Sequence, residues 1–317
     1  MLLVSNTRVA TTPIAIVIYR RPALVRDLMK VLRQARPRRL WILADGPRED
    51  QGTQEAELCR ATRNAAEEGV TWECEVRKVY SRDNLGLKRG VESGLDSLFA
   101  EEREAIVLEE DCHPSLDFFS FCEEMLARYR NEPEVAAISG NCFLPHATQP
   151  EADYFFSRYL HIWGWATWAR AWNSYDPRSW AWPEGGFRTY FPEAKDRESR
   201  YWDRIFSGVT NGEIQTWDYP WVSHLWKRGW VSITPSQNLV TNRGFGPEAT
   251  NTRDASVNVG IERVGSLLPP FCGPVGKIHA DTALDQLVFR NHFLRTEGRL
   301  PLLSRLFRSI RKRWRTV

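Results

Sequence analysis

The chain lacks most of the features that place a protein quickly. Its six cysteines in 317 residues, Cys59, Cys74, Cys112, Cys122, Cys142 and Cys272, never fall in a CxxC pair. Neither a zinc framework nor a disulfide scaffold is expected, and the six read as reduced, mostly buried thiols. No run reaches the roughly 18 apolar residues of a membrane span. Residues 1–8 carry no basic stretch ahead of a long apolar core, so no secretory leader is expected. No GxGxxG follows a candidate strand, which argues against a dinucleotide. Positive charge is also scarce outside one place. The net charge is +3, but 299–317 holds seven Lys/Arg and no Asp/Glu, leaving 36 basic and 40 acidic residues in the body, a net of −4. An acidic body is no surface for nucleic acid, and a cytoplasmic body is expected.

What is present is apolar material in short, regular pieces. With 42% hydrophobic and 12% aromatic residues, the chain can bury a large core. Residues 13–19 form a fully apolar run suited to a central strand. The Arg20-Arg21-Pro22 that follows puts proline at a plausible first helical position. Leu24, Val25, Leu28, Val31 and Leu32 then recur at helical spacing. Further strands are expected at 38–44, 71–79, 106–111, 135–139 and 230–235. Helices are expected at 54–68, 88–99, 115–129 and 285–293, with a variable helix and loop region at 185–212. Strands alternating with helices predict a Rossmann-like α/β fold, a mostly parallel central sheet flanked by helices. The expected division is a ligand-binding half at 10–140, a second half at 141–295 and a separate tail at 299–317.

The rest of the chain is organised around residues 106–114. Ile106, Val107 and Leu108 read as the end of a buried strand. Glu109, Glu110 and Asp111 follow at once, at the carboxyl end where open α/β sheets bind ligands. Adjacent carboxylates repel unless a cation or hydrogen bonds offset the charge, and hard oxygen ligands suit Mn²⁺ or Mg²⁺. The alternative is an acidic strand end in water.

Past about residue 140 the composition shifts. Trp163, Trp165, Trp168, Trp172, Trp180 and Trp182 put six tryptophans into 20 residues. Most are expected in the core, but such a cluster is also what a sugar platform needs, Trp163 and Trp165 first. Asp218 lies among Trp217, Tyr219 and Trp221. Apolar neighbours raise a carboxyl pKa and make a better base near neutral pH, while the plainer role is a helix N-cap. His224 is an alternative base or a core histidine. Gly244 and Gly246 point to a close backbone approach or a turn. In the tail, Leu303, Leu306, Phe307, Ile310 and Trp314 form one apolar stripe among basic residues. That pattern predicts an amphipathic helix on a membrane surface, or packing on the body or a partner.

Several stretches in order resemble a known family, the GT-A glycosyltransferases, and in particular the group of GlcNAc-transferase I and bacterial surface-glycan enzymes. They are Tyr19-Arg20-Arg21-Pro22, Leu43-Ala44-Asp45-Gly46, Asn84-Leu85-Gly86 with Lys88 beyond it, Glu109-Glu110-Asp111, the 161–168 segment with Trp163-Gly164-Trp165, Trp217-Asp218, and Asn238 through Asn242 and Gly244 to Thr252. The resemblance spans about 230 residues. It implies a GT-A fold and a nucleotide-sugar donor, with UDP-GlcNAc the first candidate. Donor contacts are implied at Tyr19, Arg20, Arg21, Asp45, Asn84, Gly86, Lys88, Glu109, Glu110, Trp163, Gly164, Trp165, Asn242 and Gly244. It further implies a DxD-like motif with Asp111 as the direct Mn²⁺ or Mg²⁺ ligand, and Asp218 as the base of an inverting transfer. The acceptor would be a glycan or a lipid-linked, lipopolysaccharide-type molecule, reached by a peripheral enzyme on the inner face of the membrane. The chain departs from the pattern in beginning its motif with Glu109. His279 is either a second metal ligand or a surface histidine. Two rivals stand beside this reading. A sugar nucleotidyltransferase would need a Gly-rich basic loop that residues 19–22 lack, and a non-catalytic glycan-binding protein would not need Asp45, Asp111 and Asp218 together.

Overall fold

The computed structural model describes residues 9–145, 147, 148, 150–244 and 264–294. The elements run β1 (Ile14–Ile18), α1 (Pro22–Ala35), β2 (Arg39–Ala44), α2 (Gly52–Gly69), β3 (Glu75–Tyr80), α3 (Gly86–Glu101), β4 (Glu104–Glu109), β5 (Cys112–Pro114) and α4 (Leu116–Arg128). They continue with β6 (Val135–Ser139), β7 (Tyr154–Ser157), β8 (Trp165–Trp168), α5 (Ala169–Trp172), α6 (Asp196–Thr210), α7 (Asp218–Arg228), β9 (Val231–Pro235), β10 (Val240–Asn242) and α8 (Thr282–Val288). Eight strands form one sheet in the order β3-β2-β1-β4-β8-β6-β9-β7, and β10 with β5 forms a two-stranded ribbon. The fold is mixed α/β, a large and mostly parallel sheet flanked by helices.

The central strands explain themselves. Ile14, Ile16 and Ile18 face one layer with Leu28, Leu32, Phe118 and Met125 from α1 and α4. Ala15, Val107 and Trp165 face the other, with Leu95, Trp202 and Trp221 from α3, α6 and α7. A strand covered on both faces has no polar side to show, so its residues read as a continuous apolar run.

Two strands depart from the expected parallel order. β8 runs antiparallel between β4 and β6, and β7 runs antiparallel at the edge. β8 lies within the tryptophan-rich segment, for which the sequence predicts no strand. Its four residues are all buried, because it sits mid-sheet and presents a large ring to each layer. The acidic motif also ends differently from the strand expected at 106–111: β4 stops at Glu109, and after a turn Pro114 pairs with Val240 in the ribbon, where His113 meets Thr241 and Cys112 meets Asn242. That ribbon folds the 240–244 segment back onto the end of β4. Strands from 10–140 and from 141–295 share one sheet without a break. The rest of the closing loop read from Phe245 to Thr252, and the basic tail at 299–317, lie outside the described residues.

Candidate active site

β1, β2, β4 and β6 run the same way, so their carboxyl ends come out along one edge of the sheet. Most of the sequence-predicted residues gather there, and the three carboxylates part where β4 ends at Glu109 and the chain turns through Glu110 and Asp111 into β5. Glu110 turns toward β1, where it accepts from the Tyr19 backbone N–H and from Arg21 Nε. Glu109, two residues on in β4, continues the face of Val107, and Asp111 and Asp218 are the charges that act on it most strongly. Burial first, then those two carboxylates, push the Glu109 carboxyl up to about 8.

Asp111 is the most closely held of the three. Arg21 Nη2 donates to its Oδ2 at 2.8 Å, and Asn242 Nδ2 donates to its Oδ1 at 3.1 Å. The Arg243 backbone N–H donates to its carbonyl oxygen at 2.8 Å. Gly244 lies against it so closely that a Cβ there would collide with the carboxylate, with Cγ only 2.8 Å away. The glycine is required by close approach, one of the two readings open from the sequence. Its N–H donates to Asn242 Oδ1 at 2.7 Å, which orients that amide toward Asp111.

Asp218 stands at the first position of α7 rather than at its N-cap, which is Trp217. Thr216 Oγ1 donates to its carboxylate. Burial raises the Asp218 pKa against the opposing hydrogen bonds from Thr216 and the Tyr219 N–H. Trp217 beneath it stacks on Trp165, with ring centroids 5.6 Å apart. That contact ties the start of α7 to β8 beside β4, which is how a residue more than 100 positions away in sequence reaches the acidic end.

The remaining predicted residues divide. The Asp45 carboxylate accepts from the N–H groups of Gly46, Leu85 and Gly86 and from Asn84 Nδ2. It therefore pins the 84–86 turn against the end of β2. Asn84 also donates to the Tyr19 hydroxyl at 3.2 Å. Tyr19 and Arg20 are both held by Glu55, a residue of α2 that the sequence reading passed over. Arg48 adds three bonds to the same carboxylate, one from its backbone N–H and two from its guanidinium, and the Glu55 pKa falls to about 2 with Arg48 the leading cause. Lys88 lies in the first turn of α3, half-buried. Trp163 is also half-buried and meets Phe143 edge-on at 5.4 Å. Gly164 takes φ +68°, and its carbonyl accepts from the Gly140 N–H.

Trp165 must be corrected. It is 1% exposed and packs among Trp172 and Trp217, so its ring is core and offers no face to a sugar. His224 is not beside the carboxylates either. It stacks on Trp221, shares a hydrogen bond with Ser174, and burial lowers its pKa to about 4. His279 is exposed.

A divalent cation fits this edge only as a shared ion. Among the described residues no three His, Cys, Asp or Glu side chains cluster to hold one alone. Glu109 and Asp111 are at most two protein carboxylates, the pattern by which Mg²⁺ or Mn²⁺ is held together with substrate phosphates.

No protein family and no curated protein matches the chain. Among solved structures it is similar to a mannosyltransferase from Pyrobaculum calidifontis in complex with GDP-Man and Mn²⁺, at 13% identity over 70% of this chain and 71% of that chain, TM-score 0.35. It is also similar to mannose-1-phosphate geranyltransferase from Thermus thermophilus, at 13% identity over 71% and 74%, TM-score 0.34. A third likeness is to apo UDP-glucose pyrophosphorylase, at 11% identity over 70% and 90%, TM-score 0.31. Likenesses this distant say nothing of substrate or reaction.

Proposed function

We propose that the protein is a divalent-cation-dependent glycosyltransferase that moves a sugar from a nucleotide-diphosphate donor to a hydroxyl of a glycan or lipid-linked acceptor. One observation carries the proposal. Asp218, a carboxyl with a raised pKa, shares its surroundings with Glu109 at the acidic carboxyl end of β4. Arg21, on the loop after β1, reaches the same end. A base, a carboxylate pair and a guanidinium along one sheet edge are the parts that transfer from a diphosphate requires.

In this reading Asp218 takes the proton from the acceptor hydroxyl as its oxygen attacks the anomeric carbon. The bond from that carbon to the diphosphate oxygen breaks, and its electron pair leaves with the diphosphate. Arg21 is placed to bind the departing anion. A cation held by Asp111 and Glu109 with the diphosphate would add Lewis-acid stabilisation of that charge. One base and one displacement invert the anomeric configuration. UDP-GlcNAc as donor, and membership of the GlcNAc-transferase I group, rest on motif order alone.

The test is Asp218→Asn. We expect transfer to fall by about 10²–10⁴-fold, the usual contribution of a general base. Nucleotide binding, read as a Mn²⁺-dependent thermal shift with UDP, GDP, CDP or dTDP, should be kept. Undiminished transfer by the variant would remove Asp218 from the chemistry. No shift of the wild-type protein with any nucleotide would remove the donor.

A further inference from the structure

One buried carboxylate near this site is unlike the others. Glu55, Glu102, Glu110, Asp111, Glu198 and Asp285 each have an arginine nitrogen within ion-pair distance. Glu92, 8% exposed on the inner face of α3, has no ion-pair partner among the described residues. Lys88, one turn earlier, acts on it only through space, and burial raises the Glu92 pKa against that charge. Its one hydrogen bond among the described residues comes from the Tyr175 hydroxyl, at 3.3 Å to Oε1. The second oxygen has no such partner, yet it is not enclosed and opens to solvent. A buried carboxylate without a cation lowers stability, and a glutamine of the same shape would not. Such a residue beside a cleft is a candidate for function.

Tyr175 links Glu92 to the proposed base. Its ring packs against Trp221, one turn beyond Asp218 in α7, with centroids 5.6 Å apart. Burial first, then Glu92, and less strongly Asp176 and Asp218, raise the pKa of its hydroxyl. Trp172 closes the same seam. Its Nε1 donates to Asp96, one turn past Glu92, at 2.8 Å, and its ring meets Trp217 and Trp221. Through these two rings the middle of α3 is tied to the first turn of α7, where Asp218 stands half-buried. The sheet separates this group from Arg21. Arg21 caps α1, which packs with α4 on one face, whereas α3 and α7 cover the other. In a single displacement the attacking oxygen and the leaving diphosphate lie on opposite sides of the anomeric carbon. The side of Asp218, away from Arg21, is therefore the acceptor's.

Resting on the proposed function, we infer that Glu92 binds a hydroxyl of the acceptor sugar, and that this sugar is neutral. The open oxygen of Glu92 accepts from a hydroxyl, and a hydrogen bond to an ionised acceptor is among the stronger ones. A uronate or a phosphorylated sugar would meet Glu92 and Asp218 as like charges. Tyr175 is the positioning residue that holds Glu92 toward the base.

The experiment offers the full-length protein methyl glycosides of glucose, galactose, mannose and N-acetylglucosamine, with those of glucuronate and galacturonate as anionic counterparts. Mn²⁺ and UDP-GlcNAc, UDP-glucose or GDP-mannose are supplied as donors. Transfer to one neutral glycoside is expected, with the uronates used at least about tenfold less well. Glu92→Gln should raise the KM for that glycoside about tenfold or more and narrow its advantage over the uronates. Affinity for the bare nucleoside diphosphate should stay within about twofold, and the Tm should be unchanged or higher because a buried charge is gone. Tyr175→Phe should raise the same KM, and the double variant should be no worse than Glu92→Gln alone; Tyr175→Phe also serves if the glutamine variant does not fold. Four results overturn the inference: the variants keep the wild-type KM, the uronates are used as well as the neutral glycosides, nucleotide is bound but no neutral glycoside is used, or Glu92→Gln lowers the Tm and weakens nucleotide and glycoside alike, as a packing role would require. A wild-type protein that binds no nucleotide takes down the proposed function, and this inference with it.

Discussion

Replacing Arg21 by methionine isolates the most heavily charged contact of the site. The guanidinium bridges Glu110 and Asp111, which are 5% and 9% exposed, with Nη2 at 2.8 Å from Asp111 Oδ2. Methionine keeps the apolar stem and removes the charge, leaving two buried carboxylates without their cation. Removing one partner of a buried pair costs about 3–5 kcal/mol. At about 2 °C per kcal/mol for a chain of this size, the Tm should fall by about 8 °C. The sign with pH is fixed. Burial already holds the Glu110 carboxyl above its ordinary value, and without Arg21 nothing opposes that rise, so the native state binds more protons than the unfolded chain and stability falls as pH rises. The deficit in urea unfolding should be larger at pH 8 than at pH 5. Added Mn²⁺ should raise the Tm of the variant more than that of the wild-type protein, since a cation can take over the vacated charge. A loss below about 1 kcal/mol, the range of an exposed pair, with no dependence on pH, would refute the picture of a buried, cation-demanding acidic end.

Two further outcomes follow from single contacts. Gly244→Ala forces a Cβ into the Asp111 carboxylate, so it should weaken Mn²⁺-dependent nucleotide binding while the far-UV circular dichroism stays that of the wild-type protein. Unchanged binding would mean that the carboxylate position does not matter. His224, whose folded pKa is about 4 against about 6.5 unfolded, takes up its proton in the unfolded chain first. Stability should therefore rise with pH between about 4 and 6.5, and His224→Gln should flatten that rise in urea titrations across the window. An unaltered slope would place the imidazole in water.

How much of this was legible in the chain can be seen residue by residue. Strands β1, β2, β4 and β6 are short apolar runs and β9 alternates Val231-Ser232-Ile233-Thr234, and the positions of all five follow from pattern. β7 and β8 do not, because Tyr154-Phe155-Phe156-Ser157 and Trp165-Ala166-Thr167-Trp168 carry neither alternation nor a parallel-strand composition. Their direction is set by neighbours distant in sequence. Asp111 could be picked out as the end of an acidic strand, and Gly244 as a demand for close approach, without any sign that the two demands are one contact. Glu55 looked like any acid on a polar helix. It became the anchor of Tyr19 and Arg20 only because α2 packs against α1 and brings its first turn beside the residues that follow β1. Trp165 and Trp163 are alike in sequence, and only the central place of β8 separates a core ring from a half-exposed one.

Local pattern therefore determined the α/β class, the acidic strand end and the suspicion that Asp218 is more than a cap, because these depend on residues close together in the chain. Tertiary structure alone decided how three adjacent carboxylates part from one another and which cation answers them. Those outcomes depend on strand order and register, which join residues more than 100 positions apart. A one-residue change of register would turn each side chain to the opposite face.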